Sequence, residues 1–169
     1  KDANHLPFLP GRSVRGLLRE AFQTAAKNNW FGQDSIHYID CLFGKEHNDG
    51  STAQGLLQIT SAVLSEQDQQ FLTQTEGATA QLYRVLHSTA IEHATGIAKE
   101  TSLRSIEVVA PMALYAEIRL NQHHPLLDTN PEITDAFSGW LNQSVTLINE
   151  LGAKRHRGFG QVTVKMEGA

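Results

Sequence analysis

Two stretches with apolar residues at three- and four-residue spacing, one near each end of the chain, enclose a middle that alternates in the two-residue period of strands. Nothing else in the sequence limits the fold as strongly. Val14, Leu17, Leu18, Ala21, Phe22, Ala25 and Ala26 mark the first as a helix over 13–28, with Ser13 as its N-cap and Asn28, Asn29 and Gly32 at its end. Ile133, Phe137, Trp140, Leu141, Val145, Ile148 and Leu151 mark the second, which ends at Gly152. Between them, the periodic stretch from Ile36 to Phe43 stops at Gly44, and 45–54, with its Asp49-Gly50 pair, reads as a polar loop. Residues 56–64 alternate as a strand. Residues 65–80, rich in Gln, Thr and Glu with little periodicity, read as a loop or weakly ordered insertion. Two β-like runs, 82–92 and 106–120, flank the polar segment His93 to Arg104, whose centre holds Thr95 and Gly96; this is the pattern of a long β-hairpin with a projecting tip. Val162, Val164 and Met166 make 160–166 a last strand.

The order helix, strand, hairpin, helix, strand is the βαββαβ pattern of a ferredoxin-like or RRM-like α+β domain without its first strand. One domain over residues 1–169 is the expectation at this length, with the absent strand lying upstream of residue 1, in residues missing internally, or supplied by a partner. With 40% hydrophobic and 19% charged residues, the chain resembles neither a disordered nor a collagen-like protein. Its apolar runs are too short to span a membrane and no charged-then-apolar leader opens it, so a cytoplasmic protein is expected. A single Cys41 forms no internal disulfide.

Charge is segregated. Residues 1–30 hold five Lys and Arg against two acids and residues 152–169 hold four against one, +3 in each case, so the overall charge of −4 leaves −10 for the middle. Two basic ends brought together on an acidic body make a surface for a polyanion. The first end contains Leu9-Pro10-Gly11-Arg12-Ser13-Val14-Arg15-Gly16-Leu17-Leu18-Arg19, a Pro-Gly turn feeding a helix whose N-terminal N–H groups suit an anion. Arg12, Arg15 and Arg19 share one side of that helix and are candidates for successive phosphates; Gly11 and Ser13 join them at its start. The second end contains Gly152-Ala153-Lys154-Arg155-His156-Arg157-Gly158-Phe159-Gly160, a basic loop closed by glycines, with Phe159 read as a core anchor. It is not a Walker A loop, since the Gly-Lys-Ser/Thr ending is absent. A metal site at His37, Cys41 and His47 is the weaker reading of that stretch, because an amphipathic helix accounts for Cys41 as buried filler. No Gly-x-Ser-x-Gly elbow supports a hydrolase.

Five motifs in order resemble the RAMP superfamily, the repeat-associated proteins that form the backbone of type III CRISPR effector complexes. Pro10 to Arg19 is similar to its Pro-Gly-Ser-Ser-Leu-Lys-Gly-x-Leu-Arg signature, and Gly152 to Gly160 to its carboxy-terminal glycine-rich loop, with Arg157-Gly158-Phe159-Gly160 the most specific part. Asp2 to Pro10 resembles the Asp-x-x-Gly-x-Pro-x-x-Pro approach, Leu42-Phe43-Gly44 the Leu-Phe-Gly after the first helix, and His93 to Val109 the Thr-Gly hairpin with its following Glu-x-Val. The chain departs from the pattern in having Asn4-His5 where the family has Gly and Arg12 where it has Ser.

The resemblance implies an RRM-like fold with a protruding thumb hairpin and a glycine-rich loop, assembled side by side with other RAMP subunits and effector proteins along CRISPR RNA. Gly11, Arg12, Ser13, Arg15 and Arg19 would hold the guide backbone, with Lys154, Arg155, His156, Arg157, Gly158 and Gly160 adjoining. The thumb, with His93, Thr95, Gly96, Lys99 and Arg104, would shape the duplex of guide and target RNA. Binding requires no cofactor. Some family subunits cut target RNA with an Asp and a divalent metal; that Asp falls ahead of residue 1 here, leaving Asp2 and His5 as the weak stand-ins and a non-catalytic subunit as the expectation. The enzymatic alternative is a metal-independent endoribonuclease that processes CRISPR transcripts with His5, His87 or His156.

Overall fold

The computed structural model describes residues 1–33, 35–46, 52–99, 101–152 and 158–168. They form α1 (Gly11–Lys27), α2 (His37–Phe43), β1 (Lys45–Glu46), β2 (Thr52–Ala53), β3 (Leu57–Ile59), α3 (Glu66–Gln74), a 3-10 turn (Thr79–Leu82), β4 (Tyr83–Ser88), β5 (Arg104–Val109), β6 (Ile118–Leu120), α4 (Leu126–Thr129) and α5 (Glu132–Val145). The strands pair antiparallel in twos, β1 with β2, β3 with β6 and β4 with β5. The chain is therefore mixed α/β with small antiparallel sheets. It divides into two compact units, one of Lys1–Leu9 and Ala62–Tyr115, the other of Pro10–Ser61 and Ala116–Ala169.

In the second unit the apolar stripe of α1 does what its spacing predicts: Leu18, Ala21, Phe22, Ala25 and Ala26 are all buried. Phe22 is fully enclosed, edge-on to Phe43 at 5.3 Å, tilted against Phe31 at 5.5 Å and stacked on Phe137 of α5 at 6.5 Å. Each such aromatic pair adds about 0.5–1.5 kcal/mol beyond its burial. Ile39, Leu42, Leu56, Leu57, Ile133, Leu141, Val145 and Ile148 complete this core. α1 begins two residues earlier than the sequence suggests. Pro10 is the N-cap and no side chain caps the helix, because Pro10 already has a fixed extended backbone and its carbonyl accepts from Ser13 N at 2.8 Å and Val14 N at 3.1 Å. Gly44 turns α2 into β1 with φ at 80°, and a side chain there would overlap the Ala53 carbonyl, so the Leu-Phe-Gly sequence has a steric basis.

At the far end of the unit no ladder strand forms over 160–166. Glu150 and Gln161 make a single antiparallel bridge, with Leu151 N donating to Gly160 O at 2.7 Å and Val162 N to Asn149 O at 2.9 Å. Val162 and Val164 still pack on the core while Thr163 between them is exposed, so the alternation that suggested a strand is present over these residues without the pairing, and it ends before Met166, which is exposed.

The first unit is built on the β4–β5 hairpin, in register from Tyr83↔Val109 to Ser88↔Arg104, with one further bridge at Ile91↔Ala98. The hairpin agrees with the sequence pattern, but the run 106–120 is split. Its first part pairs with β4 and its last, 118–120, with β3, because Pro111 can neither donate to a ladder nor continue one. Residues 65–80 are likewise not a loop throughout: Ser65 Oγ accepts from Asp68 N at 3.1 Å and caps α3. That helix buries no residue, which is why apolar periodicity missed it.

Candidate nucleic-acid interface

The arginine row of α1 comes from helical spacing, but its members are held differently. Arg12 is exposed and has no ion pair among the described residues. Arg15 reaches inward: its Nη1 donates to the carbonyl of Leu57 and its Nη2 to that of Phe43, each at 2.9 Å, tying α1 to β3 and to the end of α2. Burial, and secondly the charge of Arg19, push its guanidinium below the ordinary arginine value. Arg19 faces Asp40 of α2, with Nη2 3.7 Å from Oδ1, and Lys45 approaches the other oxygen of the same carboxylate at 3.3 Å. Gly11 N donates to Ser61 Oγ at 3.1 Å. Gly16, in the middle of the helix, has open space where a side chain would stand.

The residues that precede the second basic segment meet the same helix. Leu147, Ile148, Asn149 and Glu150, which lead into Gly152, line a shallow depression with Leu17, Glu20, Ala21 and Thr24 of α1. By helical geometry that row lies roughly 150° around α1 from the arginine row, with Gly16 between the two on the outward side. Lys154, Arg155, His156 and Arg157 lie outside the described residues, as does His47. Gly152, Gly158 and Gly160 all take positive φ, and Phe159 is half-buried.

The arginine row of α1 and the described ends of the glycine-rich loop, Gly152 and 158–160, thus belong to one unit, whereas the hairpin residues and the N-terminal turn belong to the other. His93, Thr95, Gly96, Lys99 and Arg104 are exposed on the hairpin, with Thr95 Oγ1 donating to Glu92 Oε2 at 2.9 Å and Gly96 at φ 68° making the turn at its tip. The tip also carries Ile91, Ile97 and Leu103, each about two-thirds exposed, which polarity-based reading of the segment passed over. Asp2 Oδ1 accepts from Asn4 N at 2.9 Å and Leu6 N at 2.7 Å, the behaviour of a turn-forming carboxylate. His5 sits at φ 60°, the conformation a glycine adopts most readily, and its carbonyl accepts from the Tyr83 hydroxyl at 2.7 Å. The turn therefore has the left-handed backbone that suits a Gly at this point of the motif, with an imidazole added. His87 Nδ1 lies 2.9 Å from Ser105 Oγ across the hairpin.

Among the described residues no three His, Cys, Asp or Glu side chains converge on one point. Burial, then Asp40 and Glu132, push the Cys41 thiol up. Among the described residues no helix is long and apolar enough to cross a membrane.

The protein-family model of the RAMP superfamily matches residues 1–163. A search of curated proteins finds no match. Among solved structures, a chain of the cryo-EM structure of the type III-B Cmr-beta bound to cognate target RNA resembles this one at a TM-score of 0.52 and 14% identity, covering 92% of this chain and 44% of that one. The chain thus spans less than half the length of that structural relative.

Proposed function

Because the chain belongs to the RAMP superfamily, we propose that it is an RNA-binding backbone subunit of a type III CRISPR effector complex, holding guide RNA and shaping its duplex with target RNA. The observation that carries this reading is the row of α1, where Arg12, without an ion pair among the described residues, and loosely paired Arg19 flank the crest at Gly16, which no described atom covers. A ribose-phosphate strand crossing that crest would pass from the arginine row toward the glycine-rich loop, where Lys154, Arg155, His156 and Arg157 take further phosphates. Positioning by charge, without base reading, is the mechanism. Arg15 contributes less to RNA than its place in the row suggests, since two of its five donors are committed to backbone carbonyls.

In the same reading the β4–β5 hairpin is the thumb, with Lys99 and Arg104 along it, and the core is ferredoxin-like. Neighbouring RAMP subunits are the partners, and binding needs no cofactor.

The test is the binding of the chain to a single-stranded guide RNA over a range of salt concentrations. Arg12→Ala and Arg157→Ala should each weaken binding and make the slope of log K against log salt shallower by about 0.7, the loss of one phosphate contact. Unchanged affinity and slope in both variants would refute the assignment. Metal-independent cutting of repeat RNA by the chain would instead favour a processing endoribonuclease.

A further inference from the structure

We infer that Lys45 is a further phosphate ligand and that Asp40 is the anion an RNA phosphate displaces from Lys45 and Arg19. This rests on the reading that the α1 face holds RNA. One carboxylate stands between two cations, Oδ1 at 3.7 Å from Arg19 Nη2 and Oδ2 at 3.3 Å from Lys45 Nζ, so the two cations converge on a single anionic group. The same arrangement suits a phosphate, which presents the same pair of acceptor oxygens with at least the same charge. Lys45 is kept beside the arginine row by the backbone: Arg15 bonds the Phe43 carbonyl, two residues before it, and so fixes the end of α2 against α1.

The energetic balance favours exchange. The side chains of Arg19, Lys45 and Asp40 are 40%, 58% and 42% exposed, and ion pairs this open to water hold their partners weakly. An incoming phosphate can replace Asp40 on both cations at once, whereas Asp40 itself is left in water, where a carboxylate is well solvated. Asp40 therefore lowers RNA affinity in the resting protein while keeping two cations together in the geometry the phosphate needs.

A thermodynamic cycle tests this with a single-stranded RNA as the probe. Asp40→Asn should tighten binding about two- to fivefold, the range expected for releasing an exposed ion pair. Lys45→Ala should weaken it and flatten the salt slope by about 0.7. In a chain already carrying Arg19→Ala and Lys45→Ala, Asp40→Asn should change affinity little. If it tightens binding equally there, Asp40 acts only through overall charge and the inference fails. It fails too if Lys45→Ala alters neither affinity nor slope, while a loss of binding in Arg12→Ala would leave the RNA reading intact. A wild-type chain that binds no RNA overturns both.

Discussion

Replacing Gly160 with Ala should destabilise the unit that contains α1 by about 3 kcal/mol or more, enough to remove much of the stability of a domain of this kind. Gly160 has φ 73°, and a Cβ there would overlap the carbonyl oxygen of Leu151. The opposing atoms are backbone, so no side chain can move aside. The overlap falls at the bridge where Leu151 N donates to Gly160 O, which is what holds the two ends of the glycine-rich loop together. Gly158 is the control: its φ of 76° is similar but no described residue stands within 4 Å of its absent side chain, so Gly158→Ala should cost only about 1–2 kcal/mol from the left-handed backbone. Urea denaturation of the two variants checks this. Equal midpoints would show that backbone contact at Gly160 is not what the last glycine of the motif provides.

Arg15→Ala should cost about 2–3 kcal/mol, because two partly buried carbonyls, those of Leu57 and Phe43, lose charge-assisted hydrogen bonds together. Arg15→Lys should restore part of this, since an ammonium lacks the planar fork that reaches two carbonyls on different elements. Measured by urea midpoint, a loss below about 0.5 kcal/mol for Arg15→Ala would mean that the clamp contributes little and that the residue is an ordinary surface cation.

Arg15 also shows where sequence reading stops. Spacing of three and four residues places Arg12, Arg15 and Arg19 on one side of α1, and that is correct. Spacing carries no information about which other elements come close to each member, and it is that approach which makes Arg15 a clamp and Arg19 a partner of Asp40 and leaves Arg12 without an ion pair among the described residues. Lys45 is a similar case: an isolated Lys at the start of a polar stretch has no signal until α2 brings Asp40 beside it. The apolar face of α1, the core positions of α5 as far as Val145 and the β4–β5 hairpin were legible because periodicity and turn residues act locally, whereas the spacing that carried the second helix on to Gly152 fails, since α5 ends at Val145 and Glu150 enters a β-bridge. Helix α3 was hidden because it buries nothing, although Ser65 and Asp68 spell out its cap. The absence of ladder pairing at 160–166 is likewise non-local, since a strand needs a neighbour and alternation specifies only the face.

The central claim is that α1 and the glycine-rich loop grip one ribose-phosphate strand. Its most direct test is ultraviolet crosslinking of the chain to guide RNA, with the crosslinked peptides identified by mass spectrometry. The account predicts crosslinks within 10–19 and within 152–160 on the same RNA. Crosslinks confined to other parts of the chain, with both segments free, would contradict it.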